Sequence, residues 1–154
     1  MTTYPDTNAL VQIYLHLPGE TAAMDFIRAG AVRGAVTCPV SDLLRFEVAN
    51  AIERMVFESR HGSGQRIKPE SALLANGDFE ADLAAGVWLR RIPLSLTDIE
   101  REFDSLVRMH TAKHGFRTYD IIHVASALKL KCRRFLSFDA KANALATLAG
   151  LKTL

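Results

Sequence analysis

The chain has 154 residues, of which 49% are hydrophobic and 23% charged, and its formal net charge is +2. These values predict one globular domain over residues 1–154 and argue against a disordered chain or a basic nucleic-acid-binding tail. Cys38 and Cys132 lie far apart in apolar segments, and no run approaches the roughly 20 apolar residues of a membrane span or forms a signal-peptide pattern. We therefore expect free thiols and a cytoplasmic protein.

Short apolar segments alternate with helical patterns along the chain. Strands are predicted at Thr2–Pro5, around Cys38, around Trp88, around Leu136 and in the final L-K-T-L. Helices are predicted over residues 9–17, 20–29, 41–59, 69–85, 96–113, 118–130 and 140–149. This alternation predicts an α/β sandwich with a mainly parallel sheet.

A carboxylate follows the first predicted strand, in the segment T-Y-P-D-T-N. Pro5 lacks an N–H group and disfavours helix at Tyr4, so we expect the strand to end at Asp6. Ligands bind at such strand ends in open α/β sheets. Asp6 or Asn8 could equally cap the following helix, because both residue types accept hydrogen bonds from a first helical turn.

Glu47 lies inside an apolar stripe of the third predicted helix. The stripe comprises Leu43, Leu44, Val48, Ala51, Ile52 and Met55. A carboxylate in this position is half buried, so it must pair, shift its pKa upward or bind a metal. An ion pair with Arg45 or another arginine is the alternative to a metal site.

Two further acids stand near the starts of predicted helices. Asp120 falls in the first turn after Thr118, which we predict to be the N-cap, and the helix dipole favours an anion there. Asp139 closes the apolar run F-L-S-F just before the next helix. Each acid has an ordinary explanation, but carboxylates gathered at one sheet edge repel one another. A hard divalent cation such as Mg²⁺ or Mn²⁺ is the usual remedy.

Four motifs together resemble those of the PIN-domain ribonucleases, particularly the VapC-type toxins. They are D-T-N at Asp6, the single Glu47 in a long helix, R-T-Y-D-I-I-H-V-A-S-A-L from Arg117, and F-L-S-F-D ending at Asp139. The resemblance spans essentially the full chain and implies a single PIN domain, a three-layer α/β/α sandwich with a mainly parallel five-stranded sheet. It also implies Mg²⁺ or Mn²⁺, hydrolysis of RNA phosphodiester bonds, and a cognate antitoxin that blocks the site. The acidic positions it implies are Asp6, Glu47, Asp120 and Asp139.

The resemblance assigns these acids to metal binding and catalysis. Asp6 and Asp120 are our first choices as direct metal ligands. One follows a strand and the other begins a helix, and we expect both ends to face the same opening. Glu47 and Asp139 could bind the ion directly, bind it through water or act as the general base. Arg117, three residues before Asp120, could clamp a phosphate of the substrate or form a salt bridge at the helix start.

Three polar residues near these acids have open roles. Ser137 stands where the family often has threonine, and its hydroxyl can hydrogen-bond a carboxylate or a bound water, although a plain strand serine is the alternative. Asn8 is a candidate substrate-binding residue that orients Asp6 or caps the helix. His123 is interpreted as a packed helix residue rather than a general base.

Two other functions remain open. An inactive PIN-like scaffold would bind RNA or protein without cutting it. A haloacid-dehalogenase-like phosphohydrolase would use Asp6 as a nucleophile. Such enzymes usually carry D-x-D, but here Asn8 stands at the position of the second aspartate. For partners, we predict an RNA substrate, an antitoxin and a homodimer. We hypothesise that Leu15, Leu17, Met55 and Phe57 contribute to protein contacts, with core packing as the alternative.

Overall fold

The computed structural model describes residues 2–18, 25, 27, 29–30, 32, 36–62 and 66–153. Within these residues, five short strands alternate with helices. The strands are β1 (Thr3–Pro5), β2 (Cys38–Val40), β3 (Leu89–Arg91), β4 (Arg134–Leu136) and β5 (Lys152–Thr153). All five strand predictions are confirmed.

The helices agree with most of the predicted ranges. In the described part of the chain they are α1 (Thr7–Tyr14), α2 (Asp42–His61), α3 (Pro69–Ala85), α4 (Glu100–Leu106), α5 (Ala112–His114), α6 (Thr118–Lys129) and α7 (Ala140–Leu148). A 3₁₀ turn precedes α4, and a π-helical segment, Val107–Thr111, joins α4 to α5. The prediction of one continuous α-helix over 96–113 is therefore wrong, because this range contains a 3₁₀ turn and a π-helical segment. The helix predicted over 20–29 lies mostly outside the described residues.

Parallel pairing defines the sheet. β1 pairs with β4, β4 with β5, and β2 with β3. A parallel bridge between Thr2 and Thr37 joins the two parts, and the Thr3 N–H donates to the Thr37 carbonyl at 3.0 Å. The resulting order is β3-β2-β1-β4-β5, with β1 at the centre. The chain moves outward from β1 on one side and resumes at β4 on the other, so the carboxyl ends of β1 and β4 form a topological switch point.

Local signals set the ends of the helices beside the sheet. The Ser41 hydroxyl accepts the Leu44 N–H and caps α2. Pro69 opens α3, where a missing N–H costs nothing. Gly86 ends α3 with a φ of 65°, a left-handed conformation that a residue without Cβ adopts readily.

Helices pack on one another in two groups around the sheet. One group comprises α1, α2 and α3, and the other comprises α4, α6 and α7. The core between the layers contains fully buried large side chains such as Tyr4, Leu10, Ile52, Phe79 and Phe135. The fold is therefore the α/β/α sandwich that the sequence predicted. Within the described ranges, no helix has both the length and the apolar character needed to cross a bilayer.

The core predicts a contrast between two phenylalanines. Phe79 is completely buried and packs edge-on against the ring of Tyr14, whereas Phe46 is 59% exposed. We expect Phe79→Ala to lower the free energy of unfolding by about 3 to 5 kcal/mol, because it leaves a cavity. Phe46→Ala should change it by less than about 1 kcal/mol. Urea denaturation of both variants measures the difference, and equal losses would contradict this description of the core.

Candidate active site

One groove of about 710 Å³ is lined by all four predicted acids. Asp6 directly follows β1, and Asp139 lies three residues beyond β4. Glu47 comes from α2, and Asp120 from the first turn of α6. The parallel sheet thus brings together carboxylates that are up to 133 positions apart in sequence (139 − 6). The groove opens at the switch point, the place where open α/β sheets bind ligands.

Asp6 serves as a helix cap while it lines the groove. Its Oδ1 accepts the Ala9 N–H at 2.9 Å, and the residue is only 5% exposed. Burial raises the pKa of Asp6 to about 6, although hydrogen bonds from Ser137 and the Ala9 N–H favour the charged form. The cap and the site, which the sequence left as alternatives, are therefore compatible, since one carboxylate contains two oxygens.

Arg117 bridges two of the acids. Its Nε donates to Asp120 Oδ2 at 3.0 Å and its Nη2 to Asp120 Oδ1 at 3.1 Å, a two-point pairing. The same Nη2 donates to Asp139 Oδ2 at 2.8 Å. Arg117 is also the N-cap residue of α6, so the prediction of Thr118 as the cap is wrong by one position. The guanidinium offsets the repulsion between the two carboxylates, and its side chain is still 62% exposed.

Asp139 is the N-cap of α7. Its Oδ1 accepts the N–H groups of Lys141 at 2.7 Å and Ala142 at 3.1 Å. Partial burial acts to raise the pKa of Asp139, but these backbone donors and Arg117 outweigh it and hold the pKa below its ordinary value. Asp139 therefore remains charged at neutral pH, with one oxygen on the helix start and the other on Arg117.

Glu47 pairs with a histidine rather than an arginine. His123 Nε2 lies 3.1 Å from Glu47 Oε2, and the Thr7 hydroxyl donates to the same oxygen at 3.3 Å. The predicted alternative, an ion pair with Arg45, is wrong because Arg45 pairs with Glu80 at 2.8 Å. The Glu47 side chain is 21% exposed, in agreement with the half-buried position predicted for it inside the apolar stripe.

Asn8 and Ser137 tie the loop after β4 to the start of α1. Asn8 Oδ1 accepts the Phe138 N–H at 2.9 Å, so the prediction that Asn8 caps α1 is wrong. The Ser137 hydroxyl accepts the Asp139 N–H at 2.9 Å and also hydrogen-bonds the Asp6 carboxylate. Ser137 thus connects two of the acids. Substrate binding by Asn8, Ser137 and Arg117 stays a prediction.

Sequence reasoning missed Tyr4, Thr7 and His123 as parts of this site. The Tyr4 hydroxyl lies 3.2 Å from His123 Nδ1, beneath the groove. Helical spacing offered one signal, because His123 lies three residues after Asp120 and hence on the same side of α6. No sequence signal paired His123 with Glu47, which is 76 positions away (123 − 47).

The donor set suits a hard cation, but its side chains are not arranged as a ligand cage. Among the described residues, no three His, Cys, Asp or Glu side chains are grouped so as to hold a metal ion. The carboxylates already have partners: Arg117 holds Asp120 and Asp139, and His123 holds Glu47. Carboxylate oxygens are nevertheless the ligands that Mg²⁺ and Mn²⁺ prefer. The chemistry of the donors therefore fits such an ion, and in this structure Arg117 occupies both oxygens of Asp120 and one of Asp139.

Comparison with known proteins identifies the family to which this arrangement corresponds. A family model described as PIN domain matches residues 3–148. The match includes all four groove acids, together with Tyr4, Arg117 and His123. A search of curated proteins gave no match.

The raised pKa of Asp6 predicts a pH-dependent stability in metal-free protein. Because the folded-state pKa of about 6 exceeds the ordinary value of 3.8, the folded protein holds this proton more tightly. Protonated Asp6 therefore stabilises the folded protein below pH 4, and this contribution is lost as the pH rises through about 6. Asp6→Asn cannot ionise, so its stability relative to wild type should increase by on the order of 3 kcal/mol between pH 3.5 and 7.5.

Denaturant unfolding in EDTA at several pH values measures this difference. Titrating groups that do not interact with Asp6 contribute equally to both proteins and cancel in the comparison. A stability difference that stays constant from pH 3.5 to 7.5 would show that Asp6 ionises normally in the folded chain.

Proposed function

Because the chain belongs to the PIN-domain family, whose members are generally nucleases, we propose that it is a metal-dependent endoribonuclease that hydrolyses RNA phosphodiester bonds. One observation carries the proposal: Asp6, Glu47, Asp120 and Asp139 line a single groove at the switch point of the sheet. A scaffold has no evident use for carboxylates that repel one another in this way.

The residues of the groove have separate roles in this proposal. Asp6, Glu47, Asp120 and Asp139 would hold Mg²⁺ or Mn²⁺. Such an ion supplies positive charge to the scissile phosphate and lowers the pKa of water. Asp6 and Asp139 are fixed through their helix-cap hydrogen bonds, which restrict the directions their remaining oxygens can take. This preorganisation is what a reaction without covalent protein chemistry requires.

Arg117 is the proposed phosphate contact. In the structure its guanidinium lines the groove and pairs with both Asp120 and Asp139, and its side chain is 62% exposed. Guanidinium groups bind phosphate through the same two-point geometry that Arg117 makes with Asp120. We expect Arg117 to exchange these carboxylates for an RNA phosphate when the site is loaded.

An aspartyl-nucleophile phosphohydrolase is the weaker alternative. In that reaction a second acid near Asp6 would serve the leaving group, but the position holds Asn8, whose Oδ1 accepts the Phe138 N–H. Asp6 is also largely buried and engaged with Ala9. A covalent phosphoryl-enzyme on Asp6 would overturn the nuclease proposal in favour of this reaction.

The first prediction for this function concerns the metal. Purified protein should cut single-stranded RNA in Mn²⁺ or Mg²⁺ and should stop when EDTA is in excess, because the carboxylates alone cannot neutralise the phosphate. Cleavage is followed on a fluorescent oligonucleotide. RNA cleavage that continues unchanged in EDTA would contradict metal dependence, and the absence of cleavage on all RNA would favour the scaffold.

The role of Asp6 in cleavage is tested by two matched substitutions, one in the groove and one control on the surface. Asp6→Asn should lower the cleavage rate by several orders of magnitude, since it removes a charge and an oxygen ligand with little change in shape. Asp104→Asn makes the same chemical change on the exposed surface of α4, away from the groove, and should leave the rate unchanged. Wild-type cleavage by the Asp6→Asn protein would reduce Asp6 to a helix cap.

We further propose that the protein is the toxin of a type II toxin–antitoxin pair and acts as a homodimer with a cognate antitoxin. Phe57 supports a protein contact, since it is 62% exposed on α2. Leu15, Leu17 and Met55 instead pack partly buried against the core, so core packing accounts for these three residues.

Growth of a bacterial host tests the toxin proposal. Expression of the wild-type chain should arrest growth, and Asp6→Asn should not, because arrest requires cleavage of cellular RNA. Co-expression of a small protein encoded beside the toxin should restore growth and block cleavage in vitro. Normal growth of cells that contain active, soluble wild-type nuclease would contradict a toxin role, and sedimentation of the purified protein as a monomer would contradict the homodimer.

A further inference from the structure

A chain of three side chains runs from the core to the groove. Tyr4 is 1% exposed on the central strand β1, and its hydroxyl lies 3.2 Å from His123 Nδ1. His123 is 6% exposed on α6, and its Nε2 lies 3.1 Å from Glu47 Oε2. His123 and Glu47 both line the groove, whereas Tyr4 lies beneath it and contacts the histidine.

Donor and acceptor rules give this chain a direction. An ionised carboxylate only accepts hydrogen bonds, so His123 Nε2 must be protonated where it meets Glu47. In the neutral imidazole Nδ1 is then the acceptor, and Tyr4 is the donor to it. The phenol of Tyr4 supplies the O–H for this bond, and its oxygen lies 3.2 Å from Nδ1. Tyr4 therefore donates to His123, and His123 donates to Glu47, which only accepts.

We infer that Tyr4 and His123 are positioning residues that hold the Glu47 carboxylate in place for the reaction in the groove. The Tyr4 hydroxyl selects the imidazole tautomer in which Nε2–H faces Glu47. The Thr7 hydroxyl on α1 donates to Glu47 Oε2 at 3.3 Å and so helps to orient the Glu47 carboxylate. This inference rests on the proposed nuclease function and extends it to residues beneath the site.

Packing alone does not require the Tyr4 hydroxyl. The Tyr4 ring stacks on Phe135 with centroids 5.9 Å apart and ring planes 3° from parallel, a contact that phenylalanine would make equally well. Placing a hydroxyl in this core has a desolvation cost unless it is hydrogen-bonded. The Tyr4 hydroxyl bonds both His123 and Ser126, and the bond to His123 is the one that leads to the groove. Partners that orient a ligand side chain commonly change metal affinity by about 10- to 100-fold.

Two Tyr→Phe variants provide the test. Tyr4→Phe removes the hydroxyl that faces His123. Tyr14→Phe removes the hydroxyl of a similarly buried tyrosine, which donates to Asp82 at 2.7 Å and does not line the groove. The readouts are Mn²⁺ affinity by electron paramagnetic resonance without RNA, the kcat and KM for RNA cleavage, and the imidazole tautomer by ¹⁵N NMR in Mg²⁺.

We expect Tyr4→Phe to mix the two tautomers of His123, to weaken Mn²⁺ binding by about tenfold and to lower kcat with little change in KM. Tyr14→Phe should leave all these readouts at wild-type values. Wild-type Mn²⁺ affinity and kcat in a folded Tyr4→Phe protein would overturn the inference, whatever the tautomer. Equal losses in both variants would also overturn it, because they would reflect general destabilisation.

Substitution of the histidine gives a second test that does not depend on Tyr4. Glutamine can present an N–H donor near the former Nε2 position, whereas methionine fills similar volume without a donor. His123→Gln should therefore retain more Mn²⁺ affinity than His123→Met, and equal affinities in the two folded variants would contradict a positioning role.

A wild-type protein that binds Mn²⁺ but cuts no RNA would refute the proposed function, while the affinity and NMR readouts would still decide this inference.

Discussion

Repulsion among four carboxylates in one groove is the constraint on which the rest of the site depends. Parallel strands place their carboxyl ends together, so Asp6 and Asp139 are brought to the same edge, and α2 and α6 add Glu47 and Asp120. The protein offsets this charge locally. Arg117 neutralises Asp120 and Asp139, His123 donates to Glu47, and burial raises the pKa of Asp6. The ion pairs of Arg117 and His123 offset part of the negative charge of the groove, and Arg117 occupies both oxygens of Asp120.

Helix capping and site formation use the same side chains. Asp6 and Asp139 both follow strands and both start helices, so one oxygen satisfies backbone N–H groups that would otherwise lack partners. The second oxygen then has a direction fixed by the helix start. Ser137 connects the two caps by accepting from the Asp139 N–H and bonding Asp6. The acids at the strand ends are thus tied to helix starts, whereas the guanidinium of Arg117 is 62% exposed.

Much of the fold was predictable because its signals are local. Pro69 and Gly86 define α3, whose predicted bounds of 69–85 agree with the structure, and β-branched and apolar runs located the strands. The π-helical segment Val107–Thr111 was not predictable, because its residues have no composition that distinguishes it from an α-helix. Asn8 was misassigned for a different reason. Its partner, the Phe138 N–H, lies 130 positions away, whereas capping rules consider only the next three residues.

The sequence by itself determined the alternation of strands and helices, the candidate acids and the burial of Glu47, since periodicity and residue type express these within about a dozen positions. Only the tertiary structure decided which charges meet. Glu47 could have paired with Arg45, two residues away, but the fold directs Arg45 to Glu80 and brings His123 to Glu47, with Tyr4 behind the histidine. Side-chain partners depend on how the sheet and the helices pack, and a pattern along one segment contains no information about the distance to another.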